Sequence, residues 1–464
     1  MIPSSRGRAN DMLAMSLAVG LIAACFLFGG SARADAFSQF FVRIAAVLLG
    51  SVALVRITRA DAEKIRVPLI LSLAWTLLIA IQLVPLPPQI WTSLPGREQF
   101  VELAGLAGLS QPWREMSLVP EATLNSLLAM IVPLAVLAAV CQVPSRLFGP
   151  LLAVLVLLAL LSGLIGVVQV AAGGSLYFYK ISNQGDAVGL FANRNHQAAM
   201  LAACVPMLAG LAAMKRDERR APPYGVLAAI VFVLVFPLVF VTGSRSGVIW
   251  LLLGVAGAAL VMLRASPETL GRMAMKPVLL AGGLAIAAAG AALAFFRVGA
   301  IDRMLTRSVE EDLRFSLLGT MVEMAGKYFP LGGGFGSFPM LFKVDEPFDF
   351  LNERYFNHAH NDLLEIVIEG GLPAVLIVLA FLAWFTRVSI RLWLTPYQPG
   401  RQQHLFGLVA SVSLLVLLLA GLVDYPLRTP GLAALASVLT VFISRADKSL
   451  SHQARVVVPP RRSA

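Results

Sequence analysis

The residue types best suited to acid–base and anion chemistry gather in the stretch HAHNDLLEIVIEGG, from His358 to Gly371, where a polar segment runs into an apolar helix. His358, His360, Asn361, Asp362, Glu365 and Glu369 crowd that boundary. Ionisable groups at the mouth of a membrane helix are costly unless a function or a partner holds them there. Helix capping accounts for part of the set, since Asp362 with Glu365 reads as a capping box and Asn361 as an alternative N-cap. It leaves His360 and Glu369 unexplained. His360 stands just ahead of the helix N-terminus, where the dipole disfavours imidazolium and favours the neutral form that a general base needs. His358, two residues earlier, has a spacing that could bind metal on a strand, but no third ligand is evident nearby and no metal site is expected. Glu369 falls about 10 Å into the helix by the helical rise and shares a stripe with Glu365 and Asp362, so it must face protein.

Arginines supply a complementary chemistry. Arg194 in FANRNH, Arg245 in TGSRSG and Arg314 in DLRFSLLG fall in separate loops on the same expected side as the histidines, with Asp424 and Arg428 in a further turn. A guanidinium is a planar fork of donors that never deprotonates, which suits phosphate or pyrophosphate. The competing reading for any one of them is an arginine snorkelling to lipid headgroups. The run LGGGFGSF, Leu331 to Phe338, lacks the Lys-Ser/Thr of a nucleotide loop and reads as a Gly-rich turn. No Walker motif and no Gly-x-Ser-x-Gly elbow is present. The apparatus is arginines plus one histidine.

The elements that must position these groups are membrane helices. Of 464 residues, 58% are hydrophobic and only 14% charged, too apolar for a soluble protein. Apolar runs of bilayer-crossing length recur about twelve times, so the expected fold class is an all-α polytopic membrane protein. The net charge of +11 does not point to nucleic acid, because the basic residues concentrate in alternate loops, as the positive-inside rule demands. Cys25, Cys141 and Cys204 lie within or at the ends of apolar segments and imply no disulfide framework. Residues 1–296 are expected to hold helices one to nine, 297–361 a large periplasmic loop, 362–444 helices ten to twelve, and 445–464 a disordered cytoplasmic tail. Both termini are then cytoplasmic in the bacterial inner membrane, with the reactive face periplasmic. Ser31 to Ala36 has the small-x-small look of a signal-peptidase site, which leaves cleavage of the first helix open. Trp91 and Trp113, in the Pro-rich segment 85–120, read as interfacial aromatics.

The ordered set Ser244-Arg245-Ser246-Gly247 at a helix end, Arg314 in the large loop, Gly334-Phe335-Gly336-Ser337-Phe338, and His360-Asn361 with Leu364, Glu369 and Gly370 resembles the O-antigen ligase and O-antigen polymerase superfamily of bacterial membrane glycosyltransferases. The resemblance runs from about Leu190 to Asp424; each motif is weak alone, and the order on one membrane side is what is specific. One departure is that Arg314 is followed two residues on by Ser-Leu-Leu-Gly where an aromatic is common. The resemblance implies a membrane glycosyltransferase fold (GT-C type) and an undecaprenyl-diphosphate-linked glycan as donor. It further implies an acceptor glycan or lipid A core, and metal-independent, inverting transfer with no cofactor. By the same resemblance Arg245 and Arg314, with Arg194 as an addition, would hold the diphosphate, His360 would be the base, and Asn361 and Glu369 would support it. Ligase and polymerase are not distinguished, nor are the donor repeat, the acceptor or the oligomeric state. A transporter or flippase of polysaccharide or lipid is the alternative class, since it also has many helices.

Overall fold

The computed structural model describes residues 5–172, 176–214, 224–265, 316–351, 356–398 and 400–457, with residues 283, 284 and 287. The expected ninth helix at 277–296, the basic run Lys215 to Arg220 and Arg314 lie outside these residues, apart from isolated positions in the helix. Among the described residues nine helices are long and apolar enough to cross a membrane: Gly7–Phe28, Ser38–Arg56, Pro120–Val140, Ser145–Ala171, Arg194–Ala213, Arg245–Ala265, Asp362–Leu394, Gln402–Ala420 and Pro430–His452. Two shorter apolar helices, Arg66–Ile81 and Ala228–Val241, accompany them. Helices are the form such runs take because hydrocarbon offers their backbone amides no partner except one another.

The Arg194–Ala213 helix is the hub, buried on nearly all sides and packed against Arg245–Ala265, Gln402–Ala420, Tyr224–Val241 and Phe148–Ala171. Its alanines make that possible, since small side chains let neighbouring backbones approach. At one such approach a Cβ added to Gly254 would lie 2.6 Å from the Ala202 carbonyl oxygen. The polar N-terminus of this helix, Arg194-Asn195-His196, is thereby fixed among these neighbouring helices.

The last helix runs from Pro430 to Val457, well past Ser444, where apolarity alone would end it. The continuation is held by polar side chains rather than by hydrocarbon. Arg445 is buried, donates to the carbonyls of Cys141 and Val143 and lies 4.6 Å from the Phe148 ring centre, while Asp447 accepts from Arg391 at 2.8 Å. The expected tail from 445 therefore starts as helix, and 458–464 lie outside the described residues.

A polar layer covers one end of the bundle. It contains a two-residue antiparallel ribbon, Pro85–Leu86 with Arg114–Glu115, and the short helices Glu98–Leu106, Leu318–Tyr328 and Phe338–Asp345. Trp91 is part of its core and not an interfacial anchor. It is 2% exposed, and its indole N–H donates to the Glu115 carbonyl at 2.9 Å with the Arg114 guanidinium over the ring. Trp113 remains exposed. Arg97 is fully buried and donates to the carbonyls of Pro95 at 2.6 Å and Met116 at 2.7 Å.

This layer is joined to the membrane helices at a break. The Asp362–Leu394 helix is interrupted at Gly371, whose φ of 57° and ψ of −154° suit glycine alone. The interruption frees backbone groups, and the Gly-rich turn meets them: Gly333 N–H donates to Ile368 O at 2.8 Å, Gly334 N–H to Glu369 O at 2.9 Å, and Leu372 N–H to Pro330 O at 2.7 Å. Gln82 clamps both sides, donating to Glu369 O at 3.0 Å and accepting from Phe335 N–H at 2.9 Å. The amides of Gly333, Gly334 and Phe335 are thus spent on protein acceptors, as a structural turn requires and a phosphate cradle does not allow. A methyl group on Gly371 would meet the Pro330 carbonyl. Gly371→Ala should cost about 3 kcal/mol or more, read as a lowered thermal midpoint in detergent or nanodiscs; an unchanged midpoint would show that the break relaxes at no cost.

Candidate active site

Two clusters of charged and polar groups meet at the turn Gly421 to Thr429, between the Gln402–Ala420 helix and the last helix. The first is built on Arg428. Its Nε donates to Asp362 Oδ1 at 2.8 Å, and one terminal nitrogen lies 3.0 Å from Glu365 Oε1 and 3.1 Å from Glu369 Oε2. The stripe of acids foreseen on one helix face therefore closes on a single guanidinium. Burial opposes the charge of Arg428, but the three carboxylates outweigh it and hold the group further above its ordinary range. Glu365 also receives His358 Nδ1 at 2.8 Å and the Ala359 N–H at 2.8 Å. Its carboxylate is not bent back to cap the helix. The capping-box reading of Asp362 and Glu365 gives way to Asn361 as the N-cap, whose Oδ1 accepts from Leu364 N–H at 3.1 Å. Glu369 is fully buried, and its second oxygen accepts from Phe338 N–H at 3.2 Å, so it joins the broken helix to the Gly-rich turn.

The second cluster is built on Asp424, 1% exposed. Oδ1 accepts from the Tyr425 N–H at 3.0 Å and faces His360 Nδ1 at 3.2 Å. Oδ2 accepts from Asn195 Nδ2 at 2.7 Å and Asn193 Nδ2 at 3.2 Å. A carboxylate only accepts, so Nδ1 of His360 carries a proton, and in the neutral imidazole the lone pair is then on Nε2. That is the tautomer a general base requires. His360 is also the one non-glycine residue with positive φ, 51°, among the described residues, a left-handed conformation costing on the order of 1 kcal/mol and characteristic of positioned functional groups. His196, 1% exposed, approaches Asp424 Oδ1 with Nε2 at 3.6 Å, too long for a hydrogen bond. Burial pushes the Asp424 carboxyl up, but the adjacent His196 and His360 outweigh burial and hold it well below the usual carboxylate range.

Tyr425 stands between the clusters, its ring 4.1 Å from the His358 ring and 5.0 Å from that of His360, with His196 edge-on at 4.9 Å. The turn DYPLRTP thus carries three residues of the site.

Two of the three expected diphosphate ligands, Arg245 and Arg194, lie on elements that reach this centre. Arg245 opens the Arg245–Ala265 helix, directly after Ser244, whose hydroxyl donates to Asn195 Oδ1 at 2.7 Å. Arg194 lies one residue before Asn195, and its guanidinium donates to the buried Asp186 at 3.0 Å, so its charge is already matched within the protein. Arg314 lies outside the described residues. Sequence reasoning named Asp424 on the expected reactive face but gave it no role, and it did not single out Asn193, Asn195 or Tyr425; the signal available was an acid in a short turn between two apolar helices and a pair of asparagines flanking Arg194.

A family model described as O-antigen ligase matches residues 230–379. The matched segment contains Arg245, Arg314, the Gly-rich turn, both histidines of the loop and Glu369, whereas Arg194, Asp424 and Arg428 lie beyond it. No curated protein matches the chain significantly. The chain is therefore a multi-pass, membrane-type protein carrying an O-antigen ligase family domain.

The depressed pKa of Asp424 gives a signed prediction. A carboxyl whose folded pKa lies below its unfolded value, near 3.9, contributes stability that is complete above about pH 5 and is lost as pH falls through the folded pKa. Asp424→Asn cannot titrate and replaces an acceptor with a donor. The wild type should exceed it in thermal stability most clearly between pH 5 and 8, and the gap should shrink below about pH 4. A gap independent of pH would mean that the charge of Asp424 contributes nothing.

Proposed function

We propose that this protein is a glycosyltransferase of the ligase or polymerase type, which moves a glycan from an undecaprenyl-diphosphate donor to a hydroxyl acceptor in O-antigen or exopolysaccharide assembly. The observation that carries the reading is the Asp424–His360 pair at the mouth of the broken helix, with Nε2 as the basic nitrogen, in a chain whose residues 230–379 match the O-antigen ligase model. The acceptor is a second glycan, a lipid A core or another lipid-linked repeat.

In the proposed step His360 Nε2 takes the proton of an acceptor hydroxyl as the oxygen attacks the anomeric carbon. The carbon–oxygen bond to the diphosphate breaks, and its electron pair leaves on the diphosphate. Arg245 and Arg314 receive that charge, with Arg194 a third donor whose guanidinium is shared with Asp186. Fixed guanidinium groups stabilise developing phosphate charge by the logic of preorganised donors, which makes the transfer metal-independent. Attack opposite the leaving group inverts the anomeric carbon. Asp424 stays ionised throughout and stabilises the imidazolium that forms. Asn361 and Glu369 support the site by fixing the helix start and the Gly-rich turn. The proposed topology has twelve spans, with the undescribed 277–296 as the ninth, both termini in the cytoplasm and 297–361 outside.

The break at Gly371 keeps a transporter in view, because broken helices are common in transporters. Here the freed backbone groups are closed by the Gly-rich turn. Movement of lipid-linked glycan across a bilayer by the purified protein, without transfer, would favour that class.

Two variants test the reading by single-turnover transfer from a purified lipid-diphosphate donor in nanodiscs, across pH 5 to 9. His360→Ala should lower the rate by about 10²- to 10⁴-fold and remove the rise of rate with pH through the imidazole range, while donor binding stays close to wild type. His358→Ala, which loses a partner of Glu365, should be much milder. Retention of both rate and pH step in His360→Ala would assign the base elsewhere. Arg245→Lys keeps a positive charge but loses the fork, so it should lose activity nearly as far as Arg245→Ala at equal membrane levels. Full activity of the lysine variant would instead identify Arg245 as a lipid anchor.

A further inference from the structure

A continuous path of part-buried polar contacts links the element that presents Arg245 to the element that presents His360. It starts at the Ser244 hydroxyl, which donates to Asn195 Oδ1 at 2.7 Å and also accepts from the Gly247 N–H at 3.0 Å, in the first turn of the Arg245–Ala265 helix. It continues from Asn195 Nδ2 to Asp424 Oδ2 at 2.7 Å and ends with Asp424 Oδ1 and His360 Nδ1 at 3.2 Å. Four separate chain segments take part. One side chain, Asn195, makes the join, and its two ends are of opposite chemistry: the carboxylate can only accept and so takes the NH₂, while the serine hydroxyl donates to the amide oxygen. The orientation of the amide is therefore dictated by its neighbours. Its backbone is fixed as well, since Asn195 N–H donates to Asn193 Oδ1 at 2.8 Å at the start of the hub helix.

We propose that Asn195 is a positioning residue that sets the distance between the arginine-bearing turn and the catalytic histidine, holding Ser244 by its oxygen and Asp424 by its nitrogen. The proposal rests on the glycosyl-transfer reading and adds to it the residue that registers the two halves of the site. Two reactants held on different helices react at a rate set by their relative placement, and an error of about 1 Å can cost on the order of 10²-fold. Asn195 bonds to Asp424 through its Nδ2 and to Ser244 in the Ser244–Gly247 turn through its Oδ1. The same position predicts a particular sensitivity to charge. Asparagine and aspartate have nearly the same shape, but an aspartate at 195 would set a second carboxylate against Asp424 where an N–H now donates. The groups close to this point are His360 from the loop, His196 and Asn193 from the start of the hub helix, and the Tyr425 N–H from the turn; Arg245 follows Ser244 at the helix start, Arg194 adjoins Asn195 with its guanidinium on Asp186, and His358, Glu365 and Arg428 belong to the neighbouring cluster. Added negative charge there favours imidazolium at His360, so the neutral base appears only at higher pH.

The test compares full-length wild type, Asn195→Asp, Asn195→Ala and Ser244→Ala in nanodiscs by two readouts across pH 5 to 9. One is the single-turnover transfer rate. The other is the rate at which diethyl pyrocarbonate, which attacks neutral imidazole, modifies His360, followed by mass spectrometry of its peptide. The expected result is that Asn195→Asp moves the midpoint of both curves to higher pH by about half a unit or more. Asn195→Ala and Ser244→Ala should leave the modification midpoint close to wild type but lower the plateau transfer rate about tenfold or more. The proposal is overturned if the alanine variants keep the wild-type plateau within about twofold, or if well-folded Asn195→Asp gives wild-type curves. Should Asn195→Asp fail to yield monodisperse protein, the plateau rates of the two alanine variants decide. If the wild type transfers no glycan while the His360 modification curve still moves in Asn195→Asp, the link from Asn195 to His360 stands and the glycosyl-transfer reading falls.

Discussion

One half-buried guanidinium organises the candidate site. Arg428 holds Asp362, Glu365 and Glu369 at 2.8 to 3.1 Å, and these acids line the only turns of the broken helix that precede Gly371. Removing a partner from such a cluster leaves unpaired charge in a low-dielectric setting, at roughly 3–5 kcal/mol, so the contact is hard to give up once formed. Its effect is geometric. It ties the short half of the broken helix to the turn 421–429, and Asp424 lies on that turn four residues before Arg428. The placement of His360 against Asp424 therefore follows from a contact that takes no part in the chemistry.

The break at Gly371 explains why such a cluster can exist at all. An unbroken helix would carry Glu365 and Glu369 into hydrocarbon, where an ionised group has no stable place. Ending the first half at Gly370 and roofing it with the Gly-rich turn puts protein around those turns instead. The turn supplies the donors that the break requires, and Gln82 and Glu369 fasten it from opposite sides. The polar layer and the apolar bundle are thus joined through backbone hydrogen bonds that exist only because the helix stops and restarts.

Much of this was legible in the sequence where a residue's environment follows from its neighbours along the chain. Runs of apolar residues place the described helices, and the polar-to-apolar edge at His360 marks the site, because bilayer thickness and helix capping are local constraints. The partners were not legible. Nothing near Asp424 in the sequence says that Asn193 and Asn195, more than two hundred residues earlier, will donate to it, since that pairing depends on how the hub helix packs. Trp91 failed for the same reason: an aromatic beside prolines at a membrane edge looks interfacial until the ribbon and Arg114 fold over it. The end of the last helix was misjudged because Arg445 looks like a cytoplasmic flank in sequence, whereas its donors are taken by carbonyls of a neighbouring helix end.

The two histidines of the loop show how local sequence and tertiary contact divide the labour. They are two residues apart, and each has a carboxylate at its Nδ1, yet the carboxylates belong to different networks. Glu365 is shared with Arg428 and the Ala359 amide, so His358 is one of several groups neutralising a structural cluster. Asp424 is surrounded by neutral donors and imidazoles, with no arginine or lysine ion pair among the described residues. Its charge is consequently available to His360, and an imidazolium formed there gains the full attraction of an ionised, buried partner. Sequence spacing alone treats the two histidines alike. Under the proposed function, the difference between a positioned base and a structural histidine lies in which carboxylate is not shared with an arginine.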